Sequence, residues 1–361
     1  MELRPIPSAS PPAAASGEVL LRCDDLAPSL AFFVDELGFR IETIFPADDP
    51  QVATLSGHGL RLRLEPGRGD PGVLRLAGEP QVLTAPNGTR IEFVDPDPPV
   101  VMPPLEPAFL VTRAADGPEA GAGRAGMLYR DLIPGRLGGR FIASHIAIPE
   151  GGPVADWVHF HKIRFQMIFC RRGWVRLVYE DQGPPFLMQA GDCVLQPPRI
   201  RHRVLESSPG LEVVELGCPA LHETLADHGM SLPTGRLAPD RDFGGQRFLH
   251  AVAAKTPWTP HRATGFEARE TGMAKATAGL ADAWVIRPAG ASGFQAPAHD
   301  GELFFGFLLE GSATLDHGGE ALALGPADAF VIPAGEAWGL SAATADLELL
   351  EVMLPAGGSR V

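Results

Sequence analysis

The stretch that decides the fold reads HFHKIRFQMIFCRRG from His159 to Gly173 and resumes as GDCVLQPPRIRH from Gly191 to His202. Residues two apart on a β-strand point to the same side, so His159 and His161 share a face. Gln166 opens the next apolar run after a turn, and His202 follows a proline-rich turn onto a further one. A lone histidine usually just fills a core. Three of them, framed by Gly173, Gly191 and Pro197, predict a metal site.

Outward from this stretch, helical periodicity is scarce from residue 126 onward. Short apolar runs alternate with Gly/Pro turns, the pattern of an all-β sandwich or barrel. The chain also repeats itself. Arg130 and Pro149 are spaced as Arg269 and Pro288 are, and Asp192, Pro197 and His202 return as Asp328, Pro333 and Trp338 at the same spacing. Two homologous halves are therefore expected, over residues 126–235 and 236–361.

The two quoted segments resemble the two cupin motifs. The first motif is HxH, three or four residues, Glu, six residues, Gly; the second is Gly, five residues, PxGxxH. Gln166 stands where Glu is usual and Arg199 where Gly is usual. The resemblance implies two jelly-roll β-barrels, the first holding a metal ion through His159, His161, Gln166 and His202. Three imidazoles and one oxygen suit a first-row divalent ion and leave positions open for a substrate. Fe(II) is favoured, and Mn(II), Ni(II), Zn(II) and Cu(II) all accept such a set. A neutral amide in place of a carboxylate leaves the ion a stronger Lewis acid but more weakly held.

The second half departs from the pattern. His299 survives, but Gly301 and Trp338 replace the other two histidines, Phe304 takes the carboxylate position and Glu302 is out of register. This barrel is expected to be metal-free, serving as scaffold or dimerisation surface. In the first barrel, strand alternation from Gln166 turns Ile168 and Cys170 inward, and Arg164 is placed to meet a substrate carboxylate. These three are the predicted substrate contacts; no general base is assigned. Tyr179, Glu180 and Asp181 read as a solvent-facing turn.

Three functions compete: a metal-dependent oxygenase acting on a small organic acid or an enolisable or phenolic compound, a non-redox metal-dependent lyase or isomerase, and a small-molecule binding protein without turnover. The first ranks highest, on three histidines, open coordination and an apolar lining of Phe165, Ile168, Phe169 and Val194.

Upstream, residues 1–16 read as a mobile tail and residues 17–97 as a small α+β unit of βαβββ order. DLAPSLAFFVDELGFRIETIFP and PNGTRIEFVDP resemble the glyoxalase/bleomycin-resistance module, which places its metal ligands at positions matching Glu18 and Glu92. Two carboxylates alone make a poor transition-metal site, so a degenerate packing module is expected. The Pro- and Gly-rich residues 98–125 read as a linker.

Thirty basic and 44 acidic residues give a net charge of -14, which leaves no positive field for nucleic acid or anionic membrane. The four cysteines, Cys23, Cys170, Cys193 and Cys218, are scattered and form no disulfide framework. With no apolar run of signal-peptide or membrane-span type, a cytoplasmic protein is expected, a small-molecule substrate its partner and a homodimer its possible assembly.

Overall fold

The alternating runs of the C-terminal two-thirds form β-strands throughout, in a computed structural model that describes residues 17–46, 49–115, 121–122 and 127–357. The expected tail, residues 1–16, and residues 116–120 and 123–125 of the expected linker lie outside the described residues. The chain divides into two compact units, residues 1–99 and 100–361.

In the N-terminal unit the strands Val19–Cys23, Arg40–Phe45, Val52–Gly57 and Leu60–Pro66 pair in the order first, fourth, third, second, the outer pair being parallel. A helix starting at Leu26 links the first two, capped where Asp25 accepts a bond from the Ala27 N–H at 3.1 Å. Gly38, at φ 71°, turns the chain out of the helix. A three-stranded sheet over residues 73–94 completes the unit, and Phe33, Leu55, Leu62, Leu64 and Ile91 form its core. The first elements follow the expected βαβββ order, with three further strands after them. Glu18 pairs with Arg61 at 2.7 Å, and Glu92 with Arg90 at 3.1 Å.

The second unit holds two barrels with matching register. In the first, Phe165–Arg172 lies between Cys193–Leu195 and Leu211–Cys218, so Ile168 faces Val194 on one side and Glu215 on the other. In the second, Leu303–Glu310 lies between Ala329–Ile332 and Glu348–Leu354, and Gly306 faces Phe330 and Glu351 in the same way. The repeat seen in sequence is thus a repeat of hydrogen bonding.

The barrels also exchange strands. Leu249–Ala251, which precedes the second barrel, pairs with Cys193–Leu195 of the first. Leu110–Thr112, which precedes the first barrel, pairs with Ala329–Ile332 of the second. The stretch expected as a linker is therefore structural where it is described: Met102, Leu105, Ala108 and Leu110 pack on a core shared by both barrels, with Phe165, Met167 and Phe169 against Phe305 and Phe307. The boundary expected between residues 235 and 236 is crossed by this pairing, since Leu249–Ala251 joins a sheet of the first barrel. The exchanged strands occupy sheet edges that would otherwise be open. No helix among the described residues is long and apolar enough to cross a membrane.

One barrel is hollow and the other solid, and four equivalent positions account for it. Ser144, Gln166, Val194 and His202 of the first barrel correspond to Trp284, Phe304, Phe330 and Trp338 of the second. These aromatics pack together in the second barrel. Phe330 fits because Gly306 has no side chain: a Cβ there would lie 2.3 Å from the Phe330 ring. Gly306→Ala is expected to cost about 1–3 kcal/mol through overpacking, read as a lower urea midpoint. An unchanged midpoint would show that the second barrel is not tightly filled.

Where the barrels meet, Glu212 accepts hydrogen bonds from His145 at 2.9 Å and from Arg171. The His145 bond lowers its pKa most; burial opposes this and Arg171 adds to it, leaving the carboxyl at about 2 against an ordinary 4.5. A depressed pKa stabilises the fold above the ordinary value and loses that contribution as pH falls through the folded one. Stability should therefore drop between about pH 4.5 and about pH 2, and Glu212→Gln should flatten that slope in urea midpoints measured across the range.

Candidate metal centre

His159 and His161 lie on the short strand His159–His161, and His202 opens His202–Ser207; His159 and His202 are paired directly across the two strands. The three rings converge. Their centroids are 4.3 to 5.4 Å apart, and one ligand nitrogen from each lies within 4.8 Å of the others.

Backbone carbonyls set the tautomers. His159 Nδ1 lies 2.8 Å from the Trp157 carbonyl and His202 Nδ1 3.0 Å from that of Ile200. A carbonyl can only accept, so both Nδ1 atoms carry protons, which leaves Nε2 as the nitrogen of each ring able to serve as a ligand. His161 Nδ1 lies 3.3 Å from the Thr224 hydroxyl. The turn before His202 is tightly specified: Arg199 adopts φ 64°, the left-handed region that favours the glycine usual at this position.

Gln166 lines the same cavity as the three histidines. Its Nε2 donates to Glu215 at 2.6 Å, while its Oε1 is buried with no hydrogen-bond partner among the described residues. A buried, unsatisfied acceptor is costly unless something occupies it. Three imidazoles, each bringing a ligand nitrogen within 4.8 Å of the others, and an orphaned carboxamide oxygen on the same cavity wall fit a divalent transition-metal ion.

These residues line a cavity of about 480 Å3 inside the first barrel. Ile142, Ile146, Ile148, Ile168, Leu177 and Val213 make much of its wall apolar, and among the described residues the lining includes neither Lys nor Arg.

The structure brings Ile168 to the cavity but not the other two predicted substrate contacts. Arg164 lies outside the wall because residues 162–164 leave the strand, and its guanidinium grips Glu302 of the second barrel at 3.0 and 3.0 Å. Cys170 is inward but sealed in the apolar core, its thiol bonded to the Arg172 and Gly173 carbonyls where the strand bulges. Burial pushes that thiol up to about 12. Phe165 and Phe169 face the shared core between the barrels rather than the lumen.

The expected solvent-facing turn at 179–181 is also corrected. Tyr179 is buried, stacks on His202 at 5.5 Å and receives the Gln196 amide at 2.8 Å, and burial raises its pKa. Glu180 and Asp181 are buried too, held by Arg241 at 2.6 and 2.9 Å.

Glu215, Gln196 and His222 line the cavity without having been anticipated. His222 Nδ1 lies 3.0 Å from the Pro219 carbonyl, and its ring meets His161 edge-on at 5.3 Å. Glu215 had a signal: it follows Asp192 by the interval at which Glu351 follows Asp328.

In the second barrel His299 is committed to the backbone on both sides. Its Nε2 meets the Ile332 carbonyl at 2.9 Å and its Nδ1 accepts the Gly301 N–H at 3.1 Å. Glu302 points away to Arg140 and Arg164.

Residues 283–353, within this second barrel, match the family model described as Cupin domain. The chain is similar over most of its length to three solved structures. Protein Ylba from E. coli is 10% identical at a TM-score of 0.51, covering 72% of this chain and 94% of that one. A salicylate 1,2-dioxygenase from Pseudaminobacter salicylatoxidans is 16% identical at 0.50, covering 70% and 86%. Bacillus subtilis oxalate decarboxylase, described with its Mn(II) centers, is 13% identical at 0.50, covering 73% and 80%. The fold is that of a double cupin. At such identities the likeness extends to fold alone. No curated protein sequence matches the chain. Within the cupin pair, the family match falls on the solid barrel, whereas the converging histidines belong to the hollow one.

Proposed function

We propose that the first cupin barrel holds a divalent transition metal through His159, His161, His202 and the Gln166 carboxamide oxygen. In this reading the protein is a metal-dependent oxygenase acting on a small organic acid or an enolisable or phenolic compound. The convergence of three imidazoles at a mostly apolar cavity carries the proposal.

A bound ion supplies Lewis acidity and exchangeable positions for substrate and dioxygen. The protein's part is to fix the imidazoles through Trp157 and Ile200, to exclude water with the isoleucine-rich wall and to orient an apolar substrate body against it. Three imidazoles and an amide would themselves bring no negative charge to a bound ion. The described wall carries no Lys or Arg, so a bound ion would be the positive charge available there to an anionic substrate oxygen. Fe(II) is the favoured ion, with Mn(II), Ni(II), Zn(II) and Cu(II) as alternatives. The salicylate 1,2-dioxygenase of like fold, named for a phenolic acid, supports the substrate class.

Anaerobic reconstitution with Fe(II), followed by oxygen uptake on a panel of such acids, tests the reading. Metal-dependent uptake with at least one compound is expected; none across a broad panel would remove it.

The neutral Gln166 and the likeness to a decarboxylase with Mn(II) centers favour a second reading, a non-redox lyase or isomerase. Turnover sustained under argon with Mn(II), Ni(II) or Zn(II) would select it. A compound that stabilises the protein but is never converted would instead select binding without catalysis.

A further inference from the structure

We infer that the carboxylate missing from the coordination positions has been moved one strand over, to Glu215, which orients Gln166 toward the ion and supplies the site's negative charge from outside it. The inference rests on the metal-binding reading above.

Gln166 and Glu215 sit on neighbouring strands. Gln166 is opposite Gly217, and Glu215 is two residues further along on the same face, so the pair are diagonal neighbours. Gly217 presents no side chain between them. The Gln166 Nε2 to Glu215 Oε1 distance is 2.6 Å, a charge-assisted bond. A carboxylate can only accept, so the amide must turn its nitrogen to Glu215 and its oxygen away. That oxygen is the buried one with no hydrogen-bond partner among the described residues. A neutral residue at position 215 would leave the amide free to flip.

The second barrel shows what is peculiar to the first. Glu351 occupies the equivalent of Glu215, but Phe304 stands in place of Gln166. There the carboxylate takes the Trp284 indole N–H at 2.5 Å and Arg262 at 3.0 Å instead. An inward carboxylate on the last strand therefore belongs to both barrels, and the hollow one alone couples it to a ligand-type amide. Glu215 is also the one carboxylate among the described residues lining the cavity. An ion bound by four neutral groups would thus still have a single negative charge beside it, transmitted through the amide.

The test is Mn(II) affinity, read from the EPR signal of free Mn(II), in wild type, Glu215→Gln and the swap Gln166→Glu/Glu215→Gln. Glu215→Gln keeps the size and an acceptor but removes the charge, and should lose about 10- to 100-fold in affinity. The swap returns one carboxylate to the pair and should recover affinity to within about threefold of wild type or better. A structural role for Glu215 predicts otherwise. Wild-type affinity in Glu215→Gln, or a swap no tighter than that single variant, would overturn the inference. If Glu215→Gln does not fold, the swap alone decides: affinity near wild type supports the pair, and a loss beyond about tenfold overturns it. Failure of the wild type to bind Mn(II) would sink the metal reading itself, whereas an unaffected Glu215→Gln sinks only this step.

Discussion

His202→Ala is expected to lose at least about 100-fold in affinity for a divalent transition metal, and any turnover with it, while keeping its fold. The ring is one of three donors. It is almost fully buried, its tautomer is fixed by the Ile200 carbonyl and its plane by Tyr179. Alanine removes the donor and leaves a space beside Tyr179, at a cost of about 2 kcal/mol. The strand itself should survive, because its backbone pairs with His159 on one side and with Tyr179 on the other. Metal content after loading and desalting, together with the thermal midpoint, separates the two effects. A folded His202→Ala protein that retains metal as wild type does would contradict the assignment.

The second large effect should come from the far end of the cavity. Val213 lines the apolar wall, between Ile146 and Cys170 on the flanking strands. It lies four residues from Gly217, which faces Gln166, roughly 13 Å along the strand. Val213→Trp would put an indole into the hollow, much as aromatic rings fill the second barrel. Since the space is already present, the overpacking cost should stay at about 1 kcal/mol or less. Metal affinity should remain within about threefold of wild type, whereas turnover of any compound found active should fall by about 100-fold or more. Mn(II) titration and oxygen uptake on the same preparation give both numbers. Unchanged turnover would show that the substrate does not use the apolar part of the cavity.

What was legible in the sequence follows from how local each signal is. Strand alternation and the intervals between glycines, prolines and histidines are local, and they placed the βαβββ order, the two barrels and the three convergent imidazoles. Alternation gives the side on which Cys170 lies but not that the interior there is packed shut, and it gives no position for Arg164, which lies off the strands. The chain leaves its strand between His161 and Phe165, and it bulges between Cys170 and Arg172. The burial of Glu180 and Asp181 after Tyr179 depends on Arg241, far along the chain, and no local signal records it. Glu215, Gln196 and His222 come from elements whose neighbours are decided by pairing across the sheets, which no single stretch records. The strand exchange between barrels was hidden for the same reason, its proline-rich donor segment resembling a tether.

The claim on which the rest depends is a single ion among the rings of residues 159, 161 and 202. An anomalous difference map at the manganese edge, from crystals of the wild-type protein grown with Mn(II), tests it most directly. The account predicts one strong peak within coordination distance of the three Nε2 atoms and of Gln166 Oε1, inside the first barrel. A saturated crystal with no peak there, or with its strongest peak elsewhere in the chain, would contradict it.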